Sequence, residues 1–174
     1  MIEVESGLIK FSDSIVTEEM RIKAEKLGKQ RSENSAHVYH KGSSKYRGKK
    51  EPEISKLGIL GELIARQKLD NMGIPYEAAP LVETHPVNEP DLKTGNFLGT
   101  VDVKAFELYQ FQVNYEDHND YSHRPEYYWF MRIVKNIAEH RIIRSRIVDN
   151  WETKVGRDKY YFINKEKYEK SLIV

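Results

Sequence analysis

Apolar and polar positions alternate most clearly around Gly99-Thr100-Val101-Asp102-Val103-Lys104-Ala105-Phe106, within a strand expected over 97–106. Successive side chains of a strand point to opposite faces, so Val101, Val103 and Ala105 share one face and Asp102 and Lys104 the other. A second strand is predicted at Tyr127–Val134, a nearly unbroken run of large apolar residues of the kind that is covered on both faces. Another is predicted over 141–148, with Arg144 and Arg146 alternating on one face, and a short one over 159–163. Helical spacing dominates two earlier stretches. Thr17 caps the first, Glu18 and Glu19 fill its opening turn, and Met20, Ala24 and Leu27 recur until about Gln30. The second runs over 54–72 between Pro52 and Gly73, with Leu57, Leu60, Leu63 and Ile64 on its apolar side. A last helix is expected over 164–172. The rest reads as an arm or short strand over 7–11, strand and connection over 78–87, a turn at Lys93-Thr94-Gly95-Asn96, and a polar, aromatic loop over 109–123. This order predicts an α/β (α+β) fold, a central mixed β-sheet flanked by helices.

Composition narrows the class. A chain of 174 residues suffices for one domain with a real core, here divided into an N-terminal helix and basic arm (1–50) and a core (51–174). With 32% charged and 39% hydrophobic residues it reads as folded rather than disordered. Its 28 basic side chains nearly balance 27 acids, so local clustering says more than the net charge of +1. The clearest cluster is Lys41, Lys45, Arg47, Lys49 and Lys50, in a Gly/Ser-rich stretch over 34–50 with two histidines, two tyrosines and no acid. It reads either as an arm that contacts nucleic-acid phosphates or as a solvated polar loop. The absence of cysteine excludes a disulfide framework and a thiolate zinc site, and fits a cytoplasmic (intracellular) protein. No run nears the ~20 apolar residues of a membrane span, and the N-terminus lacks a basic-then-apolar leader, so no membrane partner is expected.

The chemistry concentrates on the polar face of the 97–106 strand. Asp102 and Lys104 lie side by side there, about 7 Å apart along the chain. A solvated strand face also carries such charges. Upstream, however, Pro90-Asp91 precedes Asp102 by a turn's reach, which folds a second carboxylate back beside the first. Glu62 adds a third acid. On its helix it stacks with Gly58, Ala65 and Leu69, so it points over packed structure, unless it is simply a border residue of an amphipathic helix. Carboxylates at the ends of neighbouring strands make a hard-oxygen site suited to Mg²⁺ or Mn²⁺. Such an ion polarises a phosphodiester and acidifies a bound water, which an adjacent lysine orients or deprotonates. Asp91-Leu92-Lys93 and Glu152-Thr153-Lys154 repeat the acid-x-Lys spacing, but the first lacks an alternating strand leading into it and the second reads as loop. His118 and His123, with Asp117 and Asp120, carry metal-ligand chemistry, yet five-residue spacing on a loop is commoner among solvated histidines.

Over about residues 54–134 this constellation resembles the PD-(D/E)XK nuclease superfamily. The residues that carry the resemblance are a helix with Gly61-Glu62, Pro90-Asp91, the strand bearing Asp102-Val103-Lys104, and the later aromatic strand. The resemblance implies a restriction-endonuclease-like core. It implies that Asp91, Asp102 and the peptide carbonyl of Val103 hold a metal, that Glu62 completes the site, and that Lys104 serves the attacking water. The activity so implied is Mg²⁺-dependent hydrolysis of DNA, with Mn²⁺ able to substitute. DNA is then the partner, the 41–50 arm the backbone contact, and tyrosines and histidines of 109–123 lesser contacts near the scissile phosphate. Cutting two strands usually takes two sites, so a homodimer is expected. Two alternatives stand beside this. One is a catalytically inactive nucleic-acid-binding or assembly module with the same fold, which has no reason to keep mutually repelling carboxylates. The other is a protein-interaction domain in which the motif is accidental.

Overall fold

The computed structural model describes residues 3–5, 8–38, 51–82, 89–108 and 110–164. The chain opens with β1 (Glu3–Glu5), β2 (Leu8–Lys10) and β3 (Ser14–Ile15), then helices α1 (Glu18–Val38) and α2 (Glu51–Met72). Strands β4 (Glu77–Ala78), β5 (Leu92–Lys93), β6 (Thr100–Phe106) and β7 (Gln110–Asn114) follow, then the short helix α3 (Tyr115–Asn119). The remainder is β8 (Tyr127–Val134), β9 (Ile137–Arg144), α4 (Ser145–Val148), β10 (Glu152–Val155) and β11 (Lys159–Asn164). Thr17 caps α1 as expected, its Oγ1 accepting from the Met20 amide at 3.2 Å. The helix continues past Gln30 to Val38, because α1 packs along α2. Tertiary burial of this kind sustains a helix where its own periodicity weakens.

Eight strands form a mixed sheet in the order β1-β2-β9-β8-β6-β5-β4, with β3 also pairing with β9. Among the described residues only β6 and β8 run parallel; the other pairings in this sheet are antiparallel. A parallel pair needs a long crossover, here supplied by β7 and α3. Helices α1 and α2 cover one face, where Ile59, Leu60, Ile64 and Leu69 pack with Val101, Val103, Trp129 and Met131. Helix α2 lies close on β6 at Gly61, where a Cβ would stand 2.7 Å from the Ala105 Cβ. The opposite face carries Tyr128, Phe130 and Ile143. It is covered by a three-stranded sheet, β10-β11-β7, through Phe111, Val113, Tyr161 and Ile163. Phe111 and Phe130 stack across this boundary with ring centroids 4.8 Å apart. Strand β8 is thus sandwiched between two cores, which is why it reads as almost continuously apolar.

Several boundaries differ from the pattern-based expectation. The 109–123 loop contains β7 and α3: Phe111 and Val113 alternate inward, and the Asn114 side chain caps the Asp117 amide at 3.0 Å. The strand expected over 141–148 starts at Ile137, because a tight turn through Lys135 (φ 54) pairs Ile137 directly with Val134, and its last four residues form α4. Glu152-Thr153-Lys154 is not loop but the outer strand β10, whose side chains are all exposed. The strand expected over 97–106 begins only at Thr100. Before it a turn is closed by Thr94, whose Oγ1 accepts from the Leu98 amide and donates to the Gly99 carbonyl, both at 3.0 Å. Over 78–87 the described part contributes only the end of the two-residue β4. The helix expected over 164–172 lies outside the described residues, apart from Asn164, which ends β11.

Two consequences are measurable. Gly61→Ala adds a Cβ against Ala105, and overpacking of about 1–3 kcal/mol outweighs the roughly 1 kcal/mol gained in helix propensity. Denaturation should therefore show the single variant destabilised and Gly61→Ala/Ala105→Gly recovered; a single variant as stable as the parent would refute the close contact. The second consequence concerns His140, which is buried, accepts from Trp129 Nε1 at 2.9 Å on Nδ1, and so donates from Nε2 to Ser14 Oγ at 2.7 Å. Burial first, then Lys68 and Arg141, pushes it from its ordinary 6.5 down to about 3. A depressed histidine stabilises the fold fully above its unfolded value and loses that stability as pH falls toward its folded one. This one group should then cost about 1.4 kcal/mol per pH unit over the window from 6.5 to about 3. Urea midpoints measured from pH 7 to pH 4 should fall less steeply in His140→Gln; parallel slopes would dismiss the linkage.

Candidate active site

The antiparallel register of β5 on β6 pairs Leu92 with Val101, which sets Asp91 across from Asp102 at the end of the ladder. The Asp91 carboxylate reaches over β6, and its Oδ2 accepts from the Val103 amide at 2.7 Å. In return Asp102 Oδ1 accepts a long bond of 3.4 Å from the Asp91 amide. Asp102 and Lys104 share the strand face that looks toward the small sheet, with Lys104 Nζ 3.8 Å from Asp102 Oδ2. In the parallel register beside them stand Tyr128, next to Asp102, and Phe130, next to Lys104. The face assignment follows from packing: Val101 and Val103 are taken by the helical core, so the polar positions must turn away from it.

Glu62 arrives from α2, one residue after the close contact at Gly61, and is buried. Its Oε1 accepts from Arg31 Nη2 at 2.9 Å. Burial raises the Glu62 carboxyl above its ordinary range, and Arg31 opposes that shift. Asp91 is held well above the ordinary carboxylate range, by burial first and then by the negative fields of Glu62 and Asp102; Lys104 and the Val103 N–H offset only part of this. For Lys104 burial pulls downward, but Asp102, Asp91, Asp117 and Glu62 outweigh it and keep the ammonium group protonated. Glu62, Asp91, Asp102 and Lys104 therefore act on one another as a single cluster.

With Glu62 already paired to Arg31, the aspartates are left with Lys104 as their compensating charge, and Asp91 stays above its ordinary range. Asp91, Asp102 and the Val103 carbonyl are all-oxygen donors, which fits Mg²⁺ or Mn²⁺, ions that commonly bind through one or two carboxylates and keep several waters. Among the described residues, no group of three or more His, Asp or Glu side chains comes together closely enough to hold a metal. The aspartate pair is thus the set that could donate directly, while Glu62 faces Arg31.

The other candidates are placed differently. His118 is fully buried and both ring nitrogens are engaged: Nε2 with Asp149 Oδ1 at 2.6 Å and Nδ1 with the Tyr128 hydroxyl at 2.8 Å. It has no lone pair to give a metal. Burial lowers its pKa, with the Asp149 bond opposing. His123 bonds locally to Asp120 and Ser122 on an exposed turn. Lys93 is an exposed residue of β5, and Lys154 places its ammonium 3.9 Å from the centroid of the Phe162 ring. Lys41, Lys45, Arg47, Lys49 and Lys50 lie outside the described residues. A cleft of about 740 Å³ between α1, α2 and β3, lined by Thr17, Met20, Lys23, Leu63 and Lys68 among others, is lined by none of the acid cluster. Pattern reading missed Arg31, and it grouped Asp117 with the loop histidines although its field acts on Lys104. Arg31 carried no local signal, since its partner lies 31 positions away on another helix.

The raised carboxyl of Asp91 has a testable sign. A carboxyl whose folded pKa exceeds its ordinary 3.8 favours the fold below that value, and the advantage disappears as pH rises through the folded pKa. Asp91→Asn keeps an acceptor for the Val103 amide while removing the repulsion. In EDTA at neutral pH it should be more stable than the parent by roughly 1–3 kcal/mol, the range for relieving a poorly compensated buried group. The difference should vanish near pH 4 in denaturant titrations, and a variant less stable at pH 7 would contradict the repulsion. No protein-family model, curated protein or solved structure matches this chain.

Proposed function

We propose that the chain is a Mg²⁺-dependent DNA endonuclease with a restriction-endonuclease-like core, hydrolysing phosphodiester bonds at a PD-(D/E)XK site where Mn²⁺ can substitute. One observation carries the reading: Asp91 and Asp102 sit opposite each other on paired strands, with Lys104 on the same face and Nζ 3.8 Å from Asp102. The order of elements supports it, with a helix bearing Glu62, a Pro-Asp, the Asp-x-Lys strand and then the aromatic strand β8 parallel to it. Held by Asp91, Asp102 and the Val103 carbonyl, Mg²⁺ would polarise the phosphodiester and acidify a bound water. Glu62, paired with Arg31, lends negative charge to that donor set. Lys104, kept protonated by its acidic neighbours, donates hydrogen bonds that orient the attacking water and steady charge growing on the phosphate oxygens. It thus acts as an electrostatic group rather than as a standing base. On this reading the 41–50 arm contacts the DNA backbone, and two copies supply the two sites that a double-strand cut requires.

The test is incubation with supercoiled, linear, branched and single-stranded DNA in Mg²⁺, Mn²⁺ or EDTA. Cutting should need the metal and fall about 10²–10⁴-fold in Lys104→Ala with the fold intact by circular dichroism. Salt-sensitive binding without cutting would replace the enzyme by a binding module, and neither binding nor cutting would end both readings.

A further inference from the structure

Two guanidinium groups from different helices converge on the stretch that follows β4. Arg31 of α1 donates from Nε to the Leu81 carbonyl at 2.7 Å and from Nη2 to Glu62 Oε1 at 2.9 Å. Arg66, one turn beyond Glu62 on α2, donates from Nη2 to the Ala79 carbonyl at 2.6 Å. The Ala79 amide in turn donates to the main-chain carbonyl of Asp91 at 3.0 Å. Gly58, one turn before Glu62, leaves space for the first of these groups: a Cβ there would stand 3.4 Å from Arg31 Nη1. The chain has reason to need such ties. Strands β4 and β5 are two residues each and pair through only Glu77–Lys93 and Ala78–Leu92. Strands that short contribute little rigidity of their own.

We propose that Arg31 and Arg66 are positioning residues of the acidic site, fixing the Glu62 carboxylate and the main chain of Asp91 against β6. The consequence for metal binding rests on the nuclease reading; the contacts do not. A guanidinium is suited to the task because its planar fork aims two donors in fixed directions, so Arg31 can hold a carbonyl and a carboxylate at once. An ammonium in its place keeps the charge and loses the second directed bond. The path from Arg66 through Ala79 ends on Asp91, whose carboxylate then meets the Val103 amide. Loosening either arginine should therefore move the acids relative to each other without removing any of them.

The experiment measures Mn²⁺ binding to the full chain by calorimetry and electron paramagnetic resonance, at a temperature where every variant is folded. It compares the parent with Arg31→Gln, Arg31→Lys and Arg66→Gln, with Asp102→Asn as the binding-loss reference. Both glutamine variants should bind Mn²⁺ about 10–100-fold more weakly, the usual effect of removing a partner that orients a ligand. Arg31→Lys should recover the melting temperature more fully than the Mn²⁺ affinity. Amide hydrogen exchange gives a readout that needs no metal: Arg66→Gln should speed exchange selectively at Ala79 and Val103. Melting temperatures that drop while Mn²⁺ affinity and these two amides stay unchanged would make the arginines merely structural and overturn the proposal. If the parent itself binds no Mn²⁺, the nuclease reading fails, and the exchange pattern alone then decides for or against the positioning role.

Discussion

Helix α2 can rest on β6 at its observed depth only because residue 61 has no side chain, since even a Cβ would come within 2.7 Å of the Ala105 Cβ. That approach brings the next residue, Glu62, within electrostatic reach of Asp91 and Lys104 on the sheet. It also fixes which way β6 faces. Once Val101 and Val103 are buried under the helix, Asp102 and Lys104 must turn to the other side, and a slip of one residue would exchange the two sets. The helix–strand contact thus sets both the apolar core and the position of the acids, and a wider separation would loosen both together.

The electrostatics of the cluster run against stability. Burial and like charge hold Asp91 above its ordinary range, and burial raises Glu62 despite Arg31. The compensations present are specific: the Val103 amide on Asp91, the Arg31 fork on Glu62, and Lys104 beside Asp102. They relieve the repulsion in part. Breaking such a buried arrangement leaves an uncompensated charge, so its members are held in place even where the arrangement as a whole adds nothing to stability. The second polar network, Asp149–His118–Tyr128, has the opposite character. Both histidine nitrogens find partners within the protein, and the network ties α3, β8 and the end of α4 together.

How much of this was legible in the sequence depended on how local the cause was. The long apolar run of β8 and the pattern of α2 between Pro52 and Gly73 gave boundaries close to those observed, because each element carries its own signal. The pairing of Asp91 with Asp102 followed from a Pro-Asp and a turn at hairpin distance from an alternating strand. Strand β7 was hidden because only Phe111 and Val113 mark it among polar neighbours, and its burial comes from packing on Phe130 and Tyr161, distant in sequence. Strand β9 was misplaced by four residues because its start is set by the turn at Lys135, a residue type that rarely takes positive φ and so gives no turn signal. Arg31 had no pattern at all. Its role exists only once two helices are packed.

The inactive-module alternative can be weighed against the same energetics. A fold that only binds or assembles gains nothing from an aspartate driven toward protonation by burial and two acidic neighbours, and neutral replacements would relieve it. Stability alone would remove such a group unless something else required it. On the nuclease reading proposed above, a hard cation between Asp91 and Asp102 would supply that requirement. It would convert mutual repulsion into shared attraction and lower the Asp91 carboxyl back toward its ordinary range. The raised Asp91 carboxyl and the lysine raised by its acidic neighbours are thus two faces of one electrostatic imbalance, which a divalent cation would relieve.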